Sequence, residues 1–371
     1  MGWKKLTIIV LAAAVLICGA IALSMKLTKQ QQVEMEVNQN KTPQAGDTTT
    51  LTDMENMPLY YDDEEVLLLP VRNVVEGLGG SVSWDAEKKA TEISYYGKKL
   101  LLNRGSSEAQ LNGYDITLKR EVEAINGCLY VTSDVFSEYF ATKVIWDSDQ
   151  QLVTIQTGDN SQPVIASCVI SGEDGERSYS AEYPVVVGLN DGSFEKNLNN
   201  SWKEYAEEAI ASFLPEEEME EDTSEASAED AAAEEAAASE ESGETAENND
   251  AQEEPLPKQV HLRFMKGYCS DAFLSLCWEK ETDGKLEVEC VNIDLLEQRK
   301  VTLSDLTNGE NLTESLAPYA TEKNTENYYI SAEQELMLME NMEDGTYTSV
   351  PVPFEFSQSV WKEKYRFLLG I

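Results

Sequence analysis

The residues best placed to do chemistry in this chain are two Trp-Asp pairs, Trp84-Asp85 and Trp146-Asp147, which stand 62 positions apart. An exposed indole can stack on a sugar ring, so the two pairs could form part of a glycan-stacking face. The same residue types also serve structure, because a buried Trp anchors a core and an Asp caps a turn. We expect the structural role for all four residues and keep the glycan-stacking face as the alternative.

Two cysteines, Cys277 and Cys290, flank Asp283-Gly284, a dipeptide that favours a two-residue hairpin turn. Counting outward from this turn places Cys277 opposite Cys290 at a non-hydrogen-bonded position, where side chains come closest. We predict facing sulfur atoms that can form a disulfide in an oxidising exterior. The alternative is that they are two small apolar neighbours without a covalent bond.

The composition of the chain offers few residues for a catalytic site or a metal site. The chain has one histidine, His261, which removes most imidazole metal sites and any His-based catalytic triad. Acidic pairs such as Asp62 with Glu65, or Glu287 with Glu289, can be named, but glycosidases also need a cleft and one raised pKa. We therefore predict no catalytic residue, no metal and no cofactor, with a wall-polymer hydrolase as a less favoured alternative.

The Trp-Asp pairs belong to a longer internal repeat. Residues 69–93 align without a gap on residues 131–155, so that Ile93 falls on Ile155 just as the Trp-Asp pairs superpose. The pattern predicts a short helix, a strand that ends in Trp-Asp, a polar turn and a second strand. Such repeats are supersecondary modules that bury an apolar face together.

The motifs of this repeat have a family resemblance. They are Pro70-Val71-Arg72, Glu76-Gly77-Leu78-Gly79, Trp84-Asp85 and Val144-Ile145-Trp146-Asp147. Residues 58–157 resemble the copper amine oxidase N-terminal-like domain, which recurs in envelope proteins of spore-forming Gram-positive bacteria. One departure is that the second copy reads Val131-Thr132-Ser133-Asp134, where the family usually has a Val-Pro-hydrophobic-Arg element. The module is not the copper-bearing part of those enzymes, so the resemblance implies adhesion or cell-wall association.

The second half of the chain carries a second resemblance. Its motifs are Glu182-Tyr183-Pro184-Val185-Val186-Val187-Gly188-Leu189, Val301-Thr302-Leu303-Ser304-Asp305-Leu306, Asn327-Tyr328-Tyr329-Ile330 and Val350-Pro351-Val352-Pro353. In this order they resemble the paired domains of unknown function in lysozyme-sensing anti-sigma factors, which also precede the catalytic domain of peptidoglycan deacetylases. The resemblance covers about residues 163–360. We expect neither of those proteins in full, because the sequence shows no sigma-binding domain and no deacetylase segment.

The first residues predict a membrane segment. Lys4 and Lys5 precede an apolar run over residues 6–23, which is long enough to span a bilayer. We expect residues 1–25 to form a single-pass anchor, with the rest of the chain outside the cell. The alternative is a cleaved signal and secretion, since Ala20-Ile21-Ala22 has the small-x-small pattern of a cleavage site.

The rest of the chain divides by composition into an α+β protein of two domains. We expect a flexible stalk over 26–57, the repeat-built domain over 58–157, and a second domain with an antiparallel sheet from 163–213 plus 258–368. Ser201 and Glu204 have the capping-box spacing and predict the start of an amphipathic helix. Residues 214–257 form an acidic low-complexity insertion, for which we expect disorder because it has little apolar area to bury.

Charge and domain resemblance together limit the function. The net charge of −41 argues against nucleic-acid partners, which require a basic surface. We expect a non-catalytic extracytoplasmic envelope protein that binds peptidoglycan, another wall glycan, or a basic wall-active protein such as lysozyme. The alternative is a structural spacer or assembly component of the envelope.

Overall fold

The structure, a computed structural model, describes residues 46–51, 57–61, 65–150, 152–174, 177–211, 259–308 and 312–370. These residues form two compact units that divide between Ser161 and Gln162. Both units combine antiparallel sheets with few helices, which confirms the α+β class. The predicted anchor (1–25) and acidic insertion (214–257) lie outside the described residues. Within the described ranges, no helix has the length and apolar character needed to cross a membrane.

The first unit is built from short strands and two helices. Its elements in chain order are β1 (Thr48–Leu51), β2 (Leu59–Tyr61), β3 (Val66–Pro70), α1 (Val71–Gly77), β4 (Ser81–Asp85), β5 (Ala90–Tyr95), β6 (Lys98–Leu102), β7 (Glu108–Leu111), β8 (Tyr114–Thr117), β9 (Glu123–Ile125), β10 (Cys128–Thr132), α2 (Ser133–Tyr139), β11 (Thr142–Asp147) and β12 (Leu152–Thr157). Each repeat copy thus contains the predicted helix and hairpin, and a strand precedes the helix in both copies.

The two repeat copies meet in a central sheet of order β2-β3-β10-β9. Strands β3 and β10 run antiparallel, with Leu69 opposite Val131 and Leu68 opposite Thr132. Because Leu69 and Val131 are equivalent positions of the repeat, this pairing relates the copies by a local twofold. The copies then diverge: the β4-β5 hairpin continues into a five-stranded sheet, whereas β11-β12 adds only β1.

The apolar positions of the repeat form the core of the first unit. Val74 and Leu78 of the first copy, and Phe136 and Phe140 of the second, are all buried. Tyr95 packs edge-on against Phe140, with 5.7 Å between the ring centroids. The helical spacing of these residues therefore directs one face of each short helix into a shared interior.

One strand lies where the sequence predicted a flexible stalk. Strand β1, within the predicted stalk 26–57, pairs antiparallel with β12, and Thr49 lies opposite Ile155. The stalk prediction is therefore wrong for residues 48–51. The physical reason is that a run of threonines is polar in composition but β-branched, so it fits the edge of a sheet.

The second unit has one long helix and longer strands. Its elements are β13 (Val164–Asp174), β14 (Arg177–Val187), α3 (Gly192–Ala211), β15 (Gln259–Cys269), β16 (Phe273–Thr282), β17 (Lys285–Asp294), β18 (Arg299–Lys300), α4 (Leu303–Leu306), α5 (Leu312–Ser315), β19 (Tyr328–Ile330), β20 (Leu336–Asn341), β21 (Tyr347–Val352), α6 (Phe354–Ser357) and a 3-10 helix (Glu363–Leu369). Strands β13 to β18 form one sheet in chain order, and β19 to β21 form a second.

Strands from both sides of residues 212–258 share the larger sheet. Strand β14 precedes this segment and β15 follows it, and the two pair in parallel, with Ser178 opposite Gln259 and Ala181 opposite Leu262. All other strand pairs of this sheet are antiparallel. The predicted grouping of the two flanking segments into one domain thus has a direct structural basis.

Helix α3 begins nine residues before the predicted start at Ser201. Asp191 caps its first turn, because its Oδ1 accepts hydrogen bonds from the backbone N–H groups of Ser193 (2.9 Å) and Phe194 (3.0 Å). Ser201 lies inside the helix and donates to the carbonyl of Leu198. The predicted apolar stripe is nevertheless confirmed, since the helix buries Trp202 and its neighbours along one face.

The outer edge of β17 is covered by asparagine side chains. Asn341 accepts a hydrogen bond from the N–H of Val288 at 2.8 Å and donates to its carbonyl at 2.9 Å. Asn327 accepts from the N–H of Cys290 at 2.7 Å. These amides take the place of a further strand, so this edge is protected against pairing with another chain.

Candidate ligand-binding groove

Trp84 is the most exposed aromatic residue among the exposed large hydrophobic residues of the described chain. Trp84 lies on β4, an edge strand of the five-stranded sheet, and its side chain is 64% exposed. The expectation that Trp84 is a core anchor is therefore wrong. An edge strand has a neighbour on one side only, so its side chains are buried only where another element covers them.

Trp84 borders a groove between α1, β4 and the turn that joins β9 to β10. The groove has a volume of about 650 Å³. Its lining mixes amides, hydroxyls and apolar groups. The residues that contribute are Val71, Arg72, Asn73, Glu76, Val82, Ser83, Trp84, Thr91, Asn126, Gly127, Cys128 and Leu129. A concave surface with a few polar groups around an apolar platform is the usual form of a small-ligand site.

The two charged residues among the described lining of this groove neutralise each other. Arg72 Nη1 donates to Glu76 Oε1 at 2.8 Å, one helical turn away, and to the carbonyl of Val82 at 3.2 Å. Both side chains are more than half exposed. The groove is therefore close to neutral in a strongly acidic chain, and it presents hydrogen-bonding groups rather than net charge.

The aspartates of both Trp-Asp pairs have the predicted turn-capping role. Asp85 Oδ1 accepts hydrogen bonds from the N–H groups of Glu87 (2.9 Å) and Lys88 (3.0 Å). Asp147 Oδ1 makes the same contacts with the two corresponding N–H groups, both at 3.0 Å. Each carboxylate thus fixes the turn that follows its Trp, which holds the indole at a defined place on the strand.

The second tryptophan, Trp146, lies in a different environment. It is half-buried, and the ring of Tyr60 packs against it with 6.2 Å between centroids. Its Nε1 is buried and has no hydrogen-bond partner in the structure. Trp146 therefore fits the expected anchoring role better than Trp84, although the two residues are equivalent in the repeat.

The predicted acidic pair Glu287 and Glu289 lies on one face of β17, but its contacts do not resemble a catalytic pair. Glu289 accepts a hydrogen bond from the hydroxyl of Tyr205 at 3.2 Å. Burial raises the pKa of Tyr205 to about 12, and the nearby Glu289 adds to the increase. Of the other pair, Asp62 lies outside the described residues. No group of His, Cys, Asp and Glu in the described ranges could hold a metal ion.

Sequence reasoning missed a buried polar cluster around Glu279. This carboxylate is almost fully buried and accepts hydrogen bonds from Arg263 and from the hydroxyl of Tyr347, the latter at 2.7 Å. Arg263 lies directly opposite Glu279 on the neighbouring strand. A register for β15 against β16 would have shown this pair, but the bulge between Lys266 and Cys269 hides that register from the sequence.

The predicted hairpin cysteines are joined. Cys277 and Cys290 lie opposite each other on β16 and β17 and form a disulfide, with 3.9 Å between their Cα atoms. Cys277 is fully buried, and Cys290 is partly accessible. Together with Met339 and neighbouring apolar side chains, the bridge forms a small core between the two sheets.

Comparison with known proteins supports part of this description. No curated protein matches the chain. A solved structure of a DUF3298 family protein from Bacteroides fragilis is 12% identical, covers 57% of this chain and 98% of its own, and has a TM-score of 0.34. A DUF3298 family protein from Pseudomonas aeruginosa is 8% identical, covers 56% and 97%, and has a TM-score of 0.33. The family model of the copper amine oxidase N-terminal domain matches residues 45–155, which confirms the resemblance predicted from the repeat and includes β1.

Proposed function

We propose that this protein is a non-catalytic component of the cell envelope that binds wall glycan in the groove beside Trp84. The observation that carries the proposal is the exposed indole at the border of a neutral, polar groove. The faces of a sugar ring present C–H groups that pack on an indole, and the ring hydroxyls match amide and hydroxyl side chains.

Two further observations support a place outside the cytoplasm. Lys4 and Lys5 precede an apolar run of membrane-spanning length, typical of an anchor with the following chain on the outer side. The Cys277–Cys290 disulfide suits an oxidising compartment. The proposal therefore places a tethered, wall-facing protein at the membrane, with secretion after cleavage as the alternative.

The neutral groove favours a glycan over a basic protein as its ligand. A basic protein such as lysozyme would be attracted by the acidic surface as a whole, through the summed field of the chain. Such attraction weakens strongly with salt. Stacking on Trp84 and hydrogen bonds in the groove depend little on ionic strength, so salt dependence separates the two kinds of ligand.

The test is a binding measurement with the full chain against soluble peptidoglycan glycan strands and against lysozyme, at low and high salt. We expect glycan binding that persists in salt and is lost in Trp84→Ala. Tyr61→Ala serves as the control, because Tyr61 is also a partly exposed aromatic residue of the first unit. Glycan binding that survives in Trp84→Ala would overturn the proposal. If neither ligand binds, the structural-spacer alternative is favoured.

A further inference from the structure

The local twofold of the first unit allows the surroundings of the two tryptophans to be compared position by position. Trp84 lies opposite Thr91 on the neighbouring strand, and Trp146 lies opposite Val153. The hairpins therefore have the same register, offset by 62 residues. Each indole stands at the same place in its own copy, so the difference in exposure must come from what the other copy presents to it.

The element that covers Trp146 has a counterpart in the other half of the unit. Tyr60 packs on Trp146 and pairs with Leu67 of β3. The repeat equivalent of Leu67 is Leu129 of β10, and Leu129 pairs with Ala124 of β9. Ala124 is therefore the structural equivalent of Tyr60. Where the chain covers the second indole with its own aromatic ring, the first copy has a methyl group.

This substitution explains why the groove at Trp84 is open. Residues 126–129, which directly follow Ala124 and its strand, form one wall of the groove. The indole is 64% exposed, and Ala124 has no ring to place on it. The Tyr60 ring on Trp146 thus serves as the template for a group on Trp84, namely one six-membered ring.

Within the aligned residues 69–93, several positions that line the groove at Trp84 differ in polarity from their repeat equivalents, and only Val71, which is equivalent to Ser133, is the less polar of its pair. Three positions of the open groove are polar where the second copy has β-branched apolar residues. These positions are Asn73, Ser83 and Thr91 in the first copy, and Val135, Ile145 and Val153 in the second. The apolar set suits the hydrocarbon ring of Tyr60, whereas the polar set suits a ring that carries hydroxyl or amide groups.

We infer that the open groove takes a single pyranose ring of a glycan, stacked on Trp84 in the place that Tyr60 occupies on Trp146. The inference rests on the proposed glycan-binding function and specifies its central contact. An aromatic side chain of a partner protein would have the right size, but the polar lining would leave hydrogen-bonding groups buried without partners.

The direct test is to give the first copy the ring that it lacks. Ala124→Tyr should place a phenol over Trp84, so that the chain occupies its own groove. Ala124 is partly exposed, so the substitution does not place the ring in the core. We expect affinity for an oligomer of N-acetylglucosamine to fall about ten-fold or more. Oxidation of Trp84 by N-bromosuccinimide, located by peptide mapping, should be rapid in the natural protein and slow in Ala124→Tyr.

The reverse change is the matched control. Tyr60→Ala should expose Trp146 to oxidation but leave the saccharide stoichiometry at one, because the equivalent positions Val135, Ile145 and Val153 stay apolar. A protected Trp84 in Ala124→Tyr with unchanged saccharide affinity would overturn the inference and leave glycan binding elsewhere on the protein. A second saccharide site in Tyr60→Ala would overturn the role given to the polar lining.

A different measurement shows whether the proposed function itself fails, namely saccharide binding by the natural protein. If the natural protein binds no saccharide, the glycan function fails, whatever the oxidation pattern shows. A tyrosine-containing tripeptide that binds in place of the saccharide, and is displaced in Ala124→Tyr, would keep the groove as a ring-binding site but overturn the sugar as its ligand.

Discussion

Cys277 and Cys290 face each other across the β16-β17 hairpin and are bonded, at the position that the two-residue turn dictates. Asp283 and Gly284 have φ values of 49° and 81°, so both adopt the left-handed conformation that a type I′ turn requires. The ladder then runs from Thr282 to the disulfide without a bulge. The turn chemistry alone therefore fixed which two cysteines meet.

The first prediction concerns the contribution of this disulfide to stability. The bridge closes a loop with a sequence separation of 13, and a loop of that length should lower the entropy of the unfolded chain by an amount worth about 3 kcal/mol. We expect the oxidised protein to unfold at higher urea than the reduced protein. Cys168→Ala should leave this difference unchanged, since Cys168 is outside the disulfide. Free thiols at both positions in the non-reduced protein, found by mass spectrometry, would contradict the prediction.

The second prediction separates the two tryptophans by stability. Trp84→Ala removes an exposed side chain and should change the free energy of unfolding by only about 0.5 kcal/mol. Trp146→Ala removes a half-buried ring that packs on Tyr60 and should cost about 2 kcal/mol, less than a fully buried Trp would. Urea denaturation measures both. Equal losses in the two variants would show that Trp84 is also packed in solution.

The difference between these tryptophans shows what the sequence could and could not predict. The repeat predicted the helix, both strands of the hairpin and the turn-capping aspartate of each copy from local chemistry. Whether an indole is covered depends on a residue of the opposite copy, and the contrast between Tyr60 and Ala124 becomes visible only once β2 and β9 are paired with their neighbours. The two copies look alike locally, so the local pattern favoured one shared role.

The start of α3 was missed for a related reason. Glu195 and Asn199 interrupt the apolar pattern of the helix, yet both are buried. Glu195 accepts hydrogen bonds from the N–H groups of Gly188 and Leu189, and Asn199 pairs with both backbone groups of Val186. Both side chains are buried because they hydrogen-bond to the backbone of a neighbouring strand and the turn after it. In the sequence alone, such polar residues cannot be told from residues on a solvent-exposed face. Tertiary context therefore extends the helix beyond its apolar stripe.

The third prediction compares the two helix ends of the repeat. Gly79 follows α1 with φ 82°, and its repeat equivalent Ala141 follows α2 with φ 46°. The left-handed conformation suits Gly at this position and strains a residue with a Cβ by about 1 kcal/mol. Gly79→Ala should therefore lower the melting temperature, and the cost is purely conformational because nothing lies within 4 Å of the added Cβ.

The matched variant should shift stability in the opposite direction. Ala141→Gly relieves the left-handed strain in the second copy and should stabilise the protein by up to about 1 kcal/mol, reduced by the greater freedom of Gly in the unfolded chain. Thermal unfolding of both variants against the natural protein measures the pair. A shift of the same sign in both would mean that the two helix ends are not equivalent in solution.

The last prediction concerns the response of the second unit to alkaline pH. The hydrogen bond from Tyr347 to Glu279, followed by burial, raises the pKa of Tyr347 to about 12 from an ordinary value of 10.0. A raised pKa in the folded state means that folding favours the neutral phenol. This contribution is therefore complete below pH 10 and is lost as the pH rises from about 10 to about 12. We expect the melting temperature to fall over that window.

A tyrosinate absorbance titration tests the cause. Tyr347→Phe should remove one group that ionises near pH 12, while Tyr205→Phe should leave the ionisation of Tyr347 unchanged. Glu279→Gln should move the pKa of Tyr347 back towards 10, because it replaces the carboxylate acceptor of the hydrogen bond that is the first cause of the increase. An unchanged late titration in Glu279→Gln would show that burial, rather than the carboxylate, holds this phenol neutral.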